Sequence, residues 1–189
     1  MNIRPRLLDH PFYRAWSAGE VTTDTLAAYH RSYADLVQRV PTYWKKVVNA
    51  FQPEDPLGLS IVEEEREHIL LWESWGHSLK PPQEYPSLQT LFDTCDRMSP
   101  SRLLGVLQAF EMQQPEVAAT KKAGLLRHYG FLTEDLRYFD EHQREEIHIA
   151  YGRSLADRWA EPAEFEEGFT TGAELFYHSL DGFAALPQA

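Results

Sequence analysis

Glutamate and histidine recur together at helical spacing along this chain, and that pairing is the chemistry of metal held by carboxylate and imidazole. The first run is Glu63-Glu64-Glu65-Arg66-Glu67-His68. On a helix Glu64 and His68, four residues apart, lean toward the same neighbour. Glu65 and His68 make the Glu-x-x-His spacing of carboxylate-bridged di-iron bundles. Next comes Glu111, which follows Leu103, Leu104, Leu107 and Phe110 on an apolar stripe. A carboxylate there is costly unless it is paired or metal-bound. The last run is Tyr138 to Ile149, where His142 and Glu146 stand four apart and Glu145 and His148 repeat Glu-x-x-His. Each run alone also fits a solvated acidic face or a satisfied ion pair. Three helices each contributing Glu or His to one bundle point instead to an interior metal site, and such mixed ligation suits iron or manganese.

Other chemistries find no foothold. The sequence has no glycine-rich phosphate loop, no Gly-x-Ser-x-Gly elbow and no Cys-x-x-Cys. Its single cysteine, Cys95, lies in an amphipathic stretch and reads as a small core residue; one cysteine permits no internal disulfide and suits a reducing, cytoplasmic compartment. With 29 acids against 18 bases the net charge is −11, which opposes binding to a phosphate backbone, so nucleic acid is not an expected partner. No apolar run approaches the roughly 18 residues of a membrane span, so no membrane partner is expected, and the first residues lack a signal-peptide core.

The elements that must position these residues are helices throughout. A first helix runs from about Leu7 to Ser17 and stops at Gly19. Thr22 or Thr23 caps a long one with Leu26, Tyr29, Tyr33 and Leu36 on its apolar face, with a kink expected at Pro41 before it resumes through Trp44 and Val48. Helices follow over about 57–78 and, capped by Ser87, over 88–98. The pattern predicts one helix from Arg102 toward His128, kinked at Pro115, and one from Thr133 to Trp159 with acids in its first turn. A last helix covers about 162–185. Linkers are short, as between antiparallel neighbours in a bundle. The expectation is an all-α single domain of about seven helices over residues 1–189.

The order of these motifs resembles the CADD family, the Chlamydia-type proteins associating with death domains, within the haem-oxygenase-like superfamily of helical bundles. Thiaminase-II-like and pyrroloquinoline-quinone-synthase-like proteins are more distant members. The resemblance begins at His10-Pro11-Phe12-Tyr13-Arg14-Ala15-Trp16 and Gly19-Glu20-Val21-Thr22. It passes through the Tyr29 to Tyr43 segment, Glu63 to Trp72 and Phe110 to Pro115. It then takes in Lys121 to Gly130 and His142, and closes on Ser179-Leu180-Asp181-Gly182-Phe183.

The resemblance implies two non-haem metal ions, iron or a manganese–iron pair, held by a Glu and a His on one helix, a Glu on the next and a His-x-x-x-Asp-x-x-His run on a third. Carried over by position, these fall on Glu64, His68, Glu111, His142 and Glu146, with Ile149 at the final histidine. On a continuous helix, residue 146 is rotated about 40° from His142 and residue 149 about −20°, whereas His148 lies about 120° away. His148 then serves as the sixth ligand only if a local tightening turns it inward. The resemblance further implies 4-aminobenzoate formation for folate, with molecular oxygen as co-substrate and an external reductant. Its members consume a tyrosine and a lysine of their own, which fall on Tyr13 and Lys121. Phe110 stands where a tyrosine is often found beside the second-helix glutamate, and the nucleophilic cysteine of thiaminases is absent. A homodimer is the assembly the superfamily implies. The alternatives are an oxidase of this fold acting on an outside small molecule, and a non-enzymatic relative with a degenerate site.

Overall fold

Proline and the residue before it set where several helices begin. His10-Pro11, Asp55-Pro56, Ser99-Pro100 and Glu161-Pro162 each put a cap before a proline whose missing N–H would be unpaired in a first turn anyway. In a computed structural model, which describes residues 2–186, the helices are α1 (Pro11–Ala18), α2 (Thr23–Phe51), α3 (Pro56–Trp75), α4 (Gln89–Asp96) and α5 (Pro100–Glu111). They continue as α6 (Gln114–His128), α7 (Arg137–Glu141), α8 (Glu146–Trp159), α9 (Pro162–His178) and α10 (Asp181–Ala184), with short 3₁₀ turns at Leu7–Asp9 and Thr133–Leu136. The all-α expectation holds. Eight of these helices have eight or more residues, against the seven or so expected. None is long and apolar enough to cross a membrane.

Two long helices expected from periodicity are each broken. The stretch from Arg102 to His128 divides at Met112-Gln113, between α5 and α6. Pro115 lacks an N–H and disfavours helical geometry just before it, so the chain stops rather than kinks. Gln113 staples the break: its Nε2 donates to the Ala109 carbonyl at 3.2 Å and its Oε1 accepts from the Leu7 N–H at 2.8 Å. The stretch from Thr133 to Trp159 divides at residues 142–145. There His142 Nδ1 bonds the Tyr138 carbonyl at 2.8 Å and Gln143 Nε2 donates to the Phe139 carbonyl at 2.9 Å. Both side chains fold back onto carbonyls of α7, the Tyr138 carbonyl accepting the His142 N–H as well at 3.2 Å, and the chain turns here instead of continuing the helix. By contrast α2 passes through Pro41 as one helix. The expected last helix also ends early, at His178, and α10 follows a turn.

The helices that carry the Glu/His runs are brought together by close packing. α5 lies most intimately on α9, and α2 on α3. Glycines make the first contact possible: a Cβ at Gly105 would fall on the Phe165 carbonyl, and one at Gly168 on the Arg102 carbonyl. α5 is therefore buried on nearly every side, from Leu103 to Glu111. Trp16, Trp44, Trp72, Trp75, Tyr29 and Phe139 fill the interior around it.

Candidate metal centre and aromatic chamber

Two groups of buried acids and histidines share one member. Glu65, His68 and His142 place ligand atoms within 4.8 Å of one another, and so do Glu65, Glu111 and His148. Glu65 Oε2 lies 3.4 Å from His68 Nδ1, and its Oε1 lies 3.2 Å from His148 Nδ1. Glu145 spans the pair from the other side, with Oε2 at 2.9 Å from His148 Nδ1 and Oε1 at 3.8 Å from His142 Nε2. Glu111 Oε1 accepts from the Trp44 indole at 3.0 Å, and its Oε2 is 4.0 Å from His148 Nδ1. The three carboxylates and three imidazoles form two adjoining pockets bridged by two glutamates.

Position along the chain and position in space disagree at two residues. Glu64 stands at the rim, half exposed, with Oε2 at 3.2 Å from the outer nitrogen of His148. Its neighbour Glu65 is inside. Glu146, carried over as the third-helix carboxylate, is exposed at the start of α8, while Glu145 is buried. On unbroken α3 the face that buries Ile61, Val62, His68, Trp72 and Trp75 itself turns Glu65 inward and leaves Glu64 outside. The break at residues 142–145 explains the second disagreement. The rotation expected of a continuous helix does not apply across a turn, so α8 starts in a new phase that faces Glu145 and His148 inward. No 3₁₀ tightening within a helix is involved. His68, Glu111, His142 and His148 are all in the cluster, and Ile149 is not needed there. The missed residues, Glu65 and Glu145, carried a signal: both begin a Glu-x-x-His step, and Glu65 also falls on the stripe of Ile61, Val62, Trp72 and Trp75.

The electrostatics of the cluster call for added positive charge. Burial pulls the His148 imidazolium down, yet Glu145 and Glu65 override it and hold it up to about 12. Burial pulls His142 down to about 4, so its Nε2 lone pair is free. Glu65 is driven up by burial, but His148 and His68 bring it down to about 2. Glu111 is raised well above the carboxylate range by burial and then by Glu145 and Glu65. Glu111 Oε2, Glu145 Oε1 and His148 Nδ1 are buried with no hydrogen bond of proper geometry. Orphaned buried polar atoms of this kind demand a partner, and an oxygen-rich set with imidazoles fits divalent iron or manganese.

Beside this cluster lies a closed aromatic chamber. Tyr138 stacks on the His142 ring at 3.9 Å and meets Trp72 edge-on at 4.8 Å. Behind them Tyr13, Tyr33, Trp72, Tyr138 and Lys121 line a cavity of about 10 Å³, bare room for one water. Lys121 Nζ sits 5.2 Å from the Tyr29 ring, 5.6 Å from Tyr13, 5.8 Å from Tyr33 and 6.0 Å from Trp72. No carboxylate pairs with it among the described residues, and burial lowers its amine to about 7. Tyr13 is fully enclosed, its hydroxyl 3.1 Å from that of Tyr29, and burial keeps it protonated well beyond the ordinary phenol range.

The chain resembles three proteins named 4-aminobenzoate synthase. It is 30% identical over 162 residues to one from Chlamydia muridarum, covering 76% of this chain and 69% of that protein. It is 28% identical over 186 residues to one from Nitrosomonas europaea, covering 84% of this chain and 76% of the other. To one from Chlamydia trachomatis it is 29% identical over 162 residues, 76% and 70% of the two chains. Among solved structures, a TenA homolog from Pseudomonas syringae superposes with a TM-score of 0.72 at 15% identity, over 96% of this chain and 87% of that one. A domain with a haem-oxygenase-like fold from Shewanella denitrificans gives 0.68 at 16% identity, over 94% and 84%. These two establish the fold alone. No family model matches the chain.

Proposed function

The chain belongs to the 4-aminobenzoate synthase family, and from that premise we propose that it forms 4-aminobenzoate at a buried two-metal centre, drawing on its own Tyr13 and Lys121. In this reading Glu65, His68, Glu111, His142, Glu145 and His148 hold the two metals, and Glu65 and Glu145 stand between them. The metals, iron or a manganese–iron pair, supply oxygen activation when bound.

The observation that carries the reading is Lys121. A fully buried lysine with no acid partner is expensive and gains nothing in packing that a methionine would not give. Such a group marks a functional site when it lies in a cavity beside other perturbed groups. Here burial holds a large fraction of the amine neutral near pH 7, with its lone pair available as a nitrogen donor. Tyr13 supplies an aromatic ring 5.6 Å from that donor, beside the Tyr29 ring at 5.2 Å, and the Tyr29 hydroxyl fixes its phenol oxygen. The chamber has room for about one water and none for an outside ring. Tyr138 and Trp72 join it to the His142 side of the cluster. An external reductant, a cytoplasmic setting and a homodimer complete the proposal.

Rescue of a 4-aminobenzoate auxotroph tests it, with Tyr13→Phe and Lys121→Ala expected to abolish growth. Protein labelled with carbon-13 tyrosine should release ring-labelled 4-aminobenzoate in unlabelled medium. A second reading is favoured by an open cleft of about 600 Å³ that reaches His68 from solvent, lined by Glu64, Glu67, Leu71 and Arg137. It would admit an outside small molecule, and an unlabelled product ring would select that reading over self-consumption.

A further inference from the structure

We propose that Glu64 is a positioning residue for the His148 half of the metal centre, and that this half binds its metal more weakly than the His68–His142 half. The proposal rests on the two-metal reading above. An imidazole that ligates through one nitrogen needs the other one fixed, because that outer hydrogen bond sets both tautomer and ring orientation.

The two halves fix theirs differently. His142 Nδ1 bonds the main-chain carbonyl of Tyr138 at 2.8 Å, within the last turn of α7, and the ring is stacked on the Tyr138 side chain. His148 Nε2 instead meets a side chain on another helix, Glu64 Oε2 at 3.2 Å. Glu64 is itself held by Ser60, whose hydroxyl donates to Oε1 at 2.9 Å. Were a metal to replace the Nδ1 proton, the proton on Nε2 would stay with Glu64 and Nδ1 would face the carboxylates of Glu65, Glu111 and Glu145.

Exposure then separates the halves. The Glu64 side chain is 48% exposed, whereas Tyr138, whose carbonyl holds the outer nitrogen of His142, is 4% exposed. Glu64 also lines the open cleft that reaches His68. Water competes for its carboxylate, so its grip on His148 is looser than a buried main-chain bond. The same residue is the one that sequence order offers as a direct ligand. The geometry assigns it the outer nitrogen of the histidine instead.

Anaerobic titration of the full chain with manganese(II) alone, followed by electron paramagnetic resonance and metal analysis, tests the proposal. The parent should bind two equivalents of unequal affinity. Glu64→Ala should weaken the weaker one by about tenfold or more and leave the tighter within about twofold. Glu64→Gln should stay within about threefold of the parent at both, because the amide oxygen still accepts the Nε2 proton. Unchanged affinities in Glu64→Ala, or an equal loss at both equivalents, would overturn the proposal. A Gln variant as weak as the Ala variant would overturn it too, making Glu64 a direct ligand. A parent that takes up no manganese removes the two-metal reading and this proposal together, whereas two bound equivalents with an unaffected Ala variant removes this proposal alone.

Discussion

Glu145 and Glu146 are adjacent acids with opposite surroundings, one buried among histidines and the other exposed at the start of α8. Substituting each by glutamine therefore separates their roles. Glu145→Gln should weaken manganese binding roughly tenfold or more, and Glu146→Gln should change it by less than about twofold, read in the same titration. Lys121 gives a second prediction at this scale. Its amine falls to about 7 in the fold from an ordinary value of 10.5, so the fold favours the neutral form. The resulting penalty on stability is fully present below pH 7 and disappears as pH rises through 10.5. Lys121→Met should accordingly stabilise the protein by a few kcal/mol, on the order set by the shift, at pH 6 and by almost nothing near pH 10. Urea unfolding at the two pH values measures the difference; an equal gain at both would show that the amine is not held neutral.

At the scale of elements, the turn between α7 and α8 and the α5–α9 contact decide which side chains meet. The runs of Glu and His were legible in the sequence, as was the helical character of the segments that carry them. Which of Glu145 and Glu146 points inward was not, because periodicity reports phase only within an unbroken helix; on continuous α3, by contrast, Ile61, Val62, His68, Trp72 and Trp75 mark the face that Glu65 shares. α7 stops at His142 and Gln143, whose side chains fold back onto the Tyr138 and Phe139 carbonyls, contacts that hydrophobic spacing does not report. α5 shows the complementary case. Its apolar stripe announced burial of Glu111, and the structure adds that glycines on α5 and α9 bring the two backbones into contact. Gly168→Ala should force the helices apart at the Arg102 carbonyl and cost about 1–3 kcal/mol. Calorimetry should show a lower melting temperature together with weaker metal binding, since Glu111 rides on the displaced helix.

For the molecule as a whole, three buried carboxylates converge on a volume where several of their atoms and one imidazole nitrogen lack hydrogen bonds. Metal should relieve that frustration. At a manganese(II) concentration about a hundredfold above the dissociation constant, binding adds about 3 kcal/mol to stability, or on the order of 5–10 °C in melting temperature for a chain this long. A chelator should reverse the gain, and an unchanged melting curve on metal addition would count against an occupied centre. The sequence by itself determined the helical fold class, the apolar faces, the candidate positions His68, Glu111 and His142, and, through motif order, the Tyr13 and Lys121 positions, because burial periodicity and motif order are written locally. Only the tertiary structure decided that Glu145 and His148 lie inside while Glu146 lies outside. Only it enclosed Lys121 among Tyr13, Tyr29, Tyr33 and Trp72 with no acid to neutralise it. Both outcomes depend on where helices stop and how they cross, and those are settled by contacts between residues far apart in the chain.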